Sequence, residues 1–342
     1  MTKPSLSPRP RPIWIITVVF AVAAAVLAGC TTGSSTKPGP TSSVTSGGTT
    51  SDTSPDPSTS TSTKPKPVQP TGAPVHIRTA NADGAQYGVG MPIIAYFSKK
   101  ITDGRPLQAA TKVTVNGAPV KGAWYFEYSA AQKGYPIEGH WRPEFYWKAH
   151  SRVHVDLPMQ GKSAGTGLVY DDNLTLDFSI GASHISTVDN STHTMTVVSD
   201  GRTYGTFPVS LGASNTPTLR GIKVIMEKGK DIRMKGPGYD DPHVKYTQRL
   251  TYGGEYLHSA PWNCVGSAGC VGPQNNIGHA NSSNGCTNLR PVDAQKLYGY
   301  LEIGDVVREL NADGPRMQLG QGYGDWNVPW AQWQTGGLVR TT

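Results

Sequence analysis

Residues 252–290 read YGGEYLHSAPWNCVGSAGCVGPQNNIGHANSSNGCTNLR, and the rest of the chain reads as a frame for this stretch. It holds a cysteine in a small, polar, glycine-bearing turn, Ser283-Asn284-Gly285-Cys286, with His258 and His279 upstream and a second cysteine pair, Cys264 and Cys270. Those are the parts of a thiol nucleophile with a base. A free thiol has a pKa of about 8.5 and is mostly protonated at neutral pH. An imidazole beside it can take that proton and leave a thiolate able to attack a carbonyl. Gly285 lets the backbone turn sharply, so that its amide and that of Cys286 can point at a developing oxyanion. An inert buried cysteine is the competing reading of so short a motif.

The flanking residues carry a more specific signal. The segment YLHSAPW, followed by SNGCTN and then AQKLYGYLEIGDVV, resembles the active-site block of the L,D-transpeptidases, which have YkuD-type catalytic domains, in their two-domain actinobacterial lipoprotein form with an immunoglobulin-like domain. The resemblance continues upstream in HTMTVVSDGRTYGTFPVSLGASNTPTLRGIKVIMEK and downstream in GDWNVPWAQW, and covers residues 74–333. It implies that Cys286 is the nucleophile, His258 the base and Ser259 the residue that helps hold that base. The amides of Gly285 and Cys286 would form the oxyanion hole, and Asn288, Ser283 and Asn284 would contact substrate. Close relatives commonly carry histidine at the position of Asn284, and many remote members carry arginine at that of Asn288. The first departure bears on local substrate contacts and not on the nucleophile.

His258 stands 28 residues before Cys286 and His279 seven. An insertion around NCVGSAGCVGPQNN accounts for the longer spacing and leaves the LHSAPW context intact. His258 is therefore taken as the base, and His279 as a loop residue near the site. The punctuated segment at residues 226–250, MEKGKDIRMKGPGYDDPHVKYTQRL, corresponds to a hairpin that family members use as a lid, with Met234 and Tyr239 as candidate substrate contacts. Asp240, Asp241 and His243 lack convincing ligand spacing, and no metal or cofactor is expected.

The resemblance implies a two-step acyl transfer. Cys286 attacks a tetrapeptide stem of peptidoglycan with release of D-alanine, and a diaminopimelate amine on a second stem resolves the thioester into a 3→3 link. Carbapenems are expected to acylate the same thiol. Trimming of D-alanine with water as acceptor, attachment of a protein to the wall, and a non-catalytic wall-binding lipoprotein are the alternatives.

Lys3, Arg9 and Arg11 precede an apolar run from Ile13 to Leu27 and then Leu27-Ala28-Gly29-Cys30. Residues 1–30 thus read as a secretory signal ending in a lipobox, with Cys30 lipidated. Residues 31–72 are a Ser/Thr/Pro-rich linker too poor in apolar side chains to offset chain entropy. The expected location is the cell envelope, lipid-anchored to the outer face of the plasma membrane. Disulfides persist in an exported protein, so the four cysteines divide into Cys30 for lipid, Cys286 free, and Cys264 with Cys270 as a disulfide. A zinc site of His258, Cys264, Cys270 and His279 is the rival and would occupy the proposed base. The formal net charge of +7 is read mainly as solubility ahead of attraction to an anionic wall; no nucleic-acid partner is expected, and a monomer is.

The fold expected is mainly β. Short alternating runs over residues 73–183 read as an immunoglobulin-like sandwich. Residues 184–310 then form a YkuD-type β-sandwich catalytic domain with one main helix at PVDAQKLYGYLEIG. Asp200-Gly201 is a hairpin signal. Residues 311–342 are a short Trp-rich subdomain expected to pack across the catalytic domain, with Trp326, Trp330 and Trp333 on one side of a short helical turn. Trp141, Tyr146 and Trp147 are read as core and interdomain packing ahead of a sugar-stacking surface.

Overall fold

Strict alternation in SRVHVDL and LTLDFSI, with every second side chain buried, makes Ser151–Leu157 and Leu174–Ile180 neighbouring antiparallel strands of a half-buried sheet. The computed structural model describes residues 71–236 and 238–342. The proposed leader, Cys30 and all but the last two residues of the linker lie outside them. In the first domain, a five-stranded sheet runs in the order Gln86–Tyr87, Leu174–Ile180, Ser151–Leu157, Lys112–Val115, Ala118–Pro119. A four-stranded sheet, Ile77–Thr79, Ile93–Phe97, Ile137–Pro143, Gly122–Tyr128, faces it across a core that includes Trp124, Phe126, Trp141 and Trp147. Trp141 and Trp147 stack at 5.7 Å, and the Trp147 indole donates to the Met91 carbonyl at 2.6 Å. These aromatics are therefore packing groups, and Tyr146 packs edge-on against Trp326 at 4.5 Å.

Only residues 181–183 separate this sandwich from the next strand, His184–Asp189. The second domain is built on a nine-stranded sheet whose order is Gly221–Val224, Val306–Glu309, His184–Asp189, Thr194–Ser199, Arg202–Ser210, Thr287–Leu289, Tyr256–Ser259, Tyr239–Arg249, Glu227–Gly236. Asp200 and Gly201 both take positive φ, 47° and 78°, which a tight two-residue hairpin requires. Helix Pro291–Tyr300 opens on proline, whose missing amide proton costs nothing in a first turn, and buries Ala294 and Leu297. It stops short of the Gly304 end that its pattern suggested. Its Leu301 cap is already extended, and Leu301 still packs into the core formed by the helix and sheet.

The two domains share one continuous apolar cluster that reaches Val224 and Val306. Backbone pairs Gly88 N–H to Ile303 O and Gly90 N–H to Gly304 O, each 2.8 Å, stitch the joint. A Cβ on Gly88 would sit 2.2 Å from an Asp305 carboxylate oxygen, so this approach admits only glycine.

The C-terminal segment departs from expectation. It lies on the four-stranded sheet of the first domain, where the Trp333 indole donates to Ala123 O at 2.8 Å and the ring stacks on Tyr125 at 4.9 Å. It also touches the catalytic domain, through Asn327, whose side chain bonds both the amide and the carbonyl of Ile222. Trp326, Trp330 and Trp333 surround the Arg142 guanidinium at 4.6, 5.2 and 4.4 Å. A buried cation with three aromatic faces draws the tail to that sheet more strongly than a plain apolar face would. Among the described residues no helix is long and apolar enough to cross a membrane.

Candidate active site

Two short parallel strands set the site. Leu257 pairs with Thr287, His258 with Asn288 and Ser259 with Leu289. Leu257 and Leu289 point into the core. Alternation therefore places His258 and Asn288 on the opposite face, with Cys286 two positions before Asn288 on that same face. His258, Asn288 and Cys286 line one cavity of about 220 Å³ together with Met234, Tyr239, Ser283 and Asn284. Met234 and Tyr239 come from the long hairpin Glu227–Gly236 and Tyr239–Arg249, which forms the last two strands of the sheet.

The His258 Nδ1 lies 2.8 Å from the Ser259 carbonyl, so Nδ1 carries the proton and Nε2 is left as the basic nitrogen. Ser259 holds the base through its backbone, and its side chain does not line the cavity. The thiol of Cys286 donates to the Gly254 carbonyl at 3.5 Å. Burial pushes this thiol up to about 12, partly offset by the Tyr256 amide. Burial also lowers His258, against the Ser259 carbonyl and Asp241. Both effects favour the neutral pair, so the resting site is thiol and imidazole rather than thiolate and imidazolium. Alkylation of Cys286 by a small electrophile such as iodoacetamide should rise about tenfold per pH unit from pH 7 to 9 without a plateau, because the thiolate fraction grows in that proportion below its pKa. A plateau below pH 8 in a stopped-flow or mass-based assay would mean the ion pair is preformed.

The nucleophile turn is held more tightly than its motif suggested. Gly285 has φ 110°, a conformation side-chain-bearing residues rarely adopt. Its N–H donates to Ser283 Oγ at 3.1 Å, and Ser283 Oγ–H donates to the Cys286 carbonyl. The Gly285 amide is thus engaged within the turn, which corrects the expectation that it faces an oxyanion. His279 is exposed and does not line the cavity, so it is a surface residue of the insertion.

Cys264 and Cys270 are disulfide-bonded, and Cys286 is free. This excludes a zinc site on those sulfurs. Sequence reasoning missed three wall residues: Trp262, at the end of the LHSAPW segment, and Asn263 and Gln274 from the insertion. Asn263 is buried and its amide donates to Ser282 Oγ at 2.8 Å, tying the insertion to the turn before the nucleophile. Trp262 lies 6.1 Å from the His258 ring. An exposed tryptophan three residues after Ser259 was the one available signal. On the hairpin, Asp240 is bound by the Arg233 guanidinium and His243 by Asp231, so Asp240, Asp241 and His243 do not converge.

Behind the two strands lies a buried charge cluster. Lys223 is fully buried, with its ammonium 2.6 Å from Glu255 and against Glu309. Burial alone would lower Lys223, but the two carboxylates outweigh it and hold its pKa up. Glu255 precedes the strand of His258 and also accepts the Leu219 amide at 2.8 Å. Glu309 accepts the Thr287 hydroxyl, one residue after the nucleophile. One ammonium therefore ties the histidine strand and the cysteine strand to each other from below.

Comparison with known proteins agrees with this geometry. The family description of the YkuD L,D-transpeptidase catalytic domain matches residues 183–308, and that of a bacterial Ig domain matches residues 31–163. The chain is 34% identical over 278 residues to L,D-transpeptidase 2 of Mycobacterium tuberculosis, covering 78% of this chain and 64% of that one. It is 32% identical over 260 residues to L,D-transpeptidase 5 of the same species, covering 74% and 54%. The chain thus spans less than two thirds of the length of these two relatives. An L,D-transpeptidase structure in complex with imipenem aligns with TM-score 0.53 and 27% identity, over 71% of this chain and 99% of that one.

Proposed function

Because residues 183–308 belong to the L,D-transpeptidase catalytic-domain family and follow a bacterial Ig domain, we propose that the whole chain is a peptidoglycan L,D-transpeptidase that forms 3→3 cross-links through a Cys286 acyl-enzyme. The observation that carries this reading is the common cavity of Cys286, His258 and Asn288 on one sheet face under the Met234 and Tyr239 hairpin.

In the first step a tetrapeptide stem enters beneath the hairpin, and its carbonyl before D-alanine meets the Cys286 sulfur. His258 Nε2 takes the thiol proton as the C–S bond forms. The Cys286 amide is the backbone donor left to the developing oxyanion, since that of Gly285 is bound within the turn. His258 then returns the proton to the departing D-alanine nitrogen, and a thioester remains. In the second step His258 accepts a proton from the attacking diaminopimelate amine, an amide replaces the thioester, and the thiol is restored. The buried Oδ1 of Asn288 has no hydrogen-bond partner among the described residues, which suits it to receive a stem-peptide N–H. The imipenem complex of the structural relative supports carbapenems as acylating inhibitors of the same thiol. We further propose that residues 1–30 export the chain and that Cys30 anchors it by lipid outside the plasma membrane, which would bring the site to the wall.

Incubation with disaccharide-tetrapeptides that carry diaminopimelate should release D-alanine and yield 3→3-linked dimers, identified by tandem mass spectrometry. Tripeptide without dimer would instead make water the acceptor, and transfer to a lysine-bearing protein would favour wall attachment.

A further inference from the structure

The outer face of the strand pair Gly122–Tyr128 and Ile137–Pro143 carries ionisable groups that the chemistry above does not use. Glu127 is the direct cross-strand partner of Glu138, and Tyr125 that of His140, so Glu127, Glu138 and His140 share one face. In an open sheet this face would be wet. Here the C-terminal segment covers it, leaving Glu138 0%, His140 2% and Glu127 9% exposed. Like charges directly opposite on a strand pair repel, and burial removes the water that would screen them.

The hydrogen-bond pattern sharpens the conflict. His140 Nδ1 lies 2.7 Å from Asp325 Oδ1 on the covering segment, which fixes a proton on Nδ1 and turns Nε2 toward the two glutamates. Burial opposes a charge on the ring, but the surrounding carboxylates outweigh it and hold the imidazole pKa up, so Nε2 carries a proton unless a cation takes its place. Nε2 is 3.6 Å from Glu138 Oε1 and 3.9 Å from Glu127 Oε1. One atom from each of the three residues falls within 4.8 Å of the others. His140 Nε2, Glu127 Oε1 and both Glu138 oxygens have no hydrogen-bond partner among the described residues. Three carboxylate oxygens and the imidazole Nε2 therefore converge with no hydrogen bond among them. Protons would have to sit both on Nε2 and between the glutamates to serve these atoms, at contacts of 3.6 and 3.9 Å that are long for hydrogen bonds, whereas one divalent cation meets all three side chains and cancels two charges.

We propose that Glu127, Glu138 and His140, with Asp325 behind the imidazole, bind one divalent transition-metal ion of the Zn²⁺ or Mn²⁺ kind that pins the C-terminal segment to the first domain. Metal bonds of about 2.0–2.2 Å in tetrahedral array put ligand atoms roughly 3.3–3.6 Å apart, and the contacts at Nε2 are 3.6 and 3.9 Å. An imidazole with two carboxylates favours Zn²⁺ or Mn²⁺ over the all-oxygen cations Ca²⁺ and Mg²⁺. A carboxylate on the far nitrogen is the usual device that orients a metal-binding histidine, and Asp325 holds that position. None of the four residues lines the Cys286 cavity.

The test is metal content and thermal stability of the purified chain, dialysed against Zn²⁺ or Mn²⁺ and then freed of excess ion. One equivalent per chain by plasma mass spectrometry is expected, with a melting temperature that rises with free metal and falls on chelation. The equivalent should persist in Cys286→Ser, which removes the thiol as a competing ligand, and vanish in Glu138→Gln. Should Glu138→Gln not fold, Glu127→Gln and the metal response of the wild type decide the matter. A wild-type chain that retains no ion while its melting temperature ignores both metals would overturn the proposal and leave a proton shared by the glutamates. So would an equivalent that survives in both glutamine variants.

Discussion

Cys286→Ser is expected to abolish the adduct formed with imipenem and to lower transpeptidation by on the order of 10⁴-fold or more, the scale on which removal of a nucleophile acts. The reason is acidity rather than shape. A serine hydroxyl fills nearly the same space and can donate to the Gly254 carbonyl as the thiol does. The pocket gives little help toward ionisation, since burial already pushes the thiol up to about 12. A hydroxyl, intrinsically far less acidic, gains little from the Lys223 ammonium nearby, whose pull is offset by Glu255 and Glu309. Stability should stay within about 1 kcal/mol of the parent, because the change is nearly isosteric. Intact mass before and after imipenem, with peptide mapping, reads the outcome directly. An adduct that persists on the variant, or that maps to another residue, would remove Cys286 from the mechanism and favour a non-catalytic wall-binding role.

Lys223→Met should be the most destabilising single change near the site. It leaves Glu255 and Glu309 buried without their shared cation, a class of change that costs about 3–5 kcal/mol. At roughly 2–4 °C per kcal/mol for domains of this size, the melting temperature should fall by roughly 6–20 °C. Acylation of Cys286 should slow as well in the folded fraction, because Glu255 leads into the His258 strand and Glu309 holds Thr287 beside the nucleophile. The triple change Lys223→Met, Glu255→Gln, Glu309→Gln removes all the charge and should recover most of the stability, although not the strand alignment. Urea unfolding of the single and triple variants makes the comparison. A single variant within about 1 kcal/mol of the parent would show that the carboxylates are readily protonated and that the ammonium is dispensable.

Much of the architecture was legible because its signals are local. Asp200-Gly201 must turn, and Pro291 with Ala294 and Leu297 must start a helix and bury one side of it. The site was legible in outline because a glycine-bearing cysteine turn and an upstream histidine have few other chemical uses together. Trp262 and Gln274 were missed because they flank the disulfide-closed loop Cys264–Cys270, an irregular segment with no periodicity from which to read its contacts. The Gly285 amide was assigned outward because its motif does not reveal that Ser283 Oγ competes for it at 3.1 Å.

What the sequence by itself determined is which residues share a face. Alternation along a strand is geometric, so Glu138, His140 and Arg142 had to lie together, as did Cys286 with Asn288 and Tyr256 with His258. What only the tertiary structure decided is what covers each face. Charged side chains on one face of an antiparallel strand commonly face solvent. Lys223 is instead sealed beneath the nucleophile, and Glu127, Glu138 and His140 are sealed beneath a tail whose tryptophans close around Arg142. The physical reason is that covering a face depends on segments far apart in the chain, here 185 residues between His140 and Asp325, whose meeting no local pattern encodes.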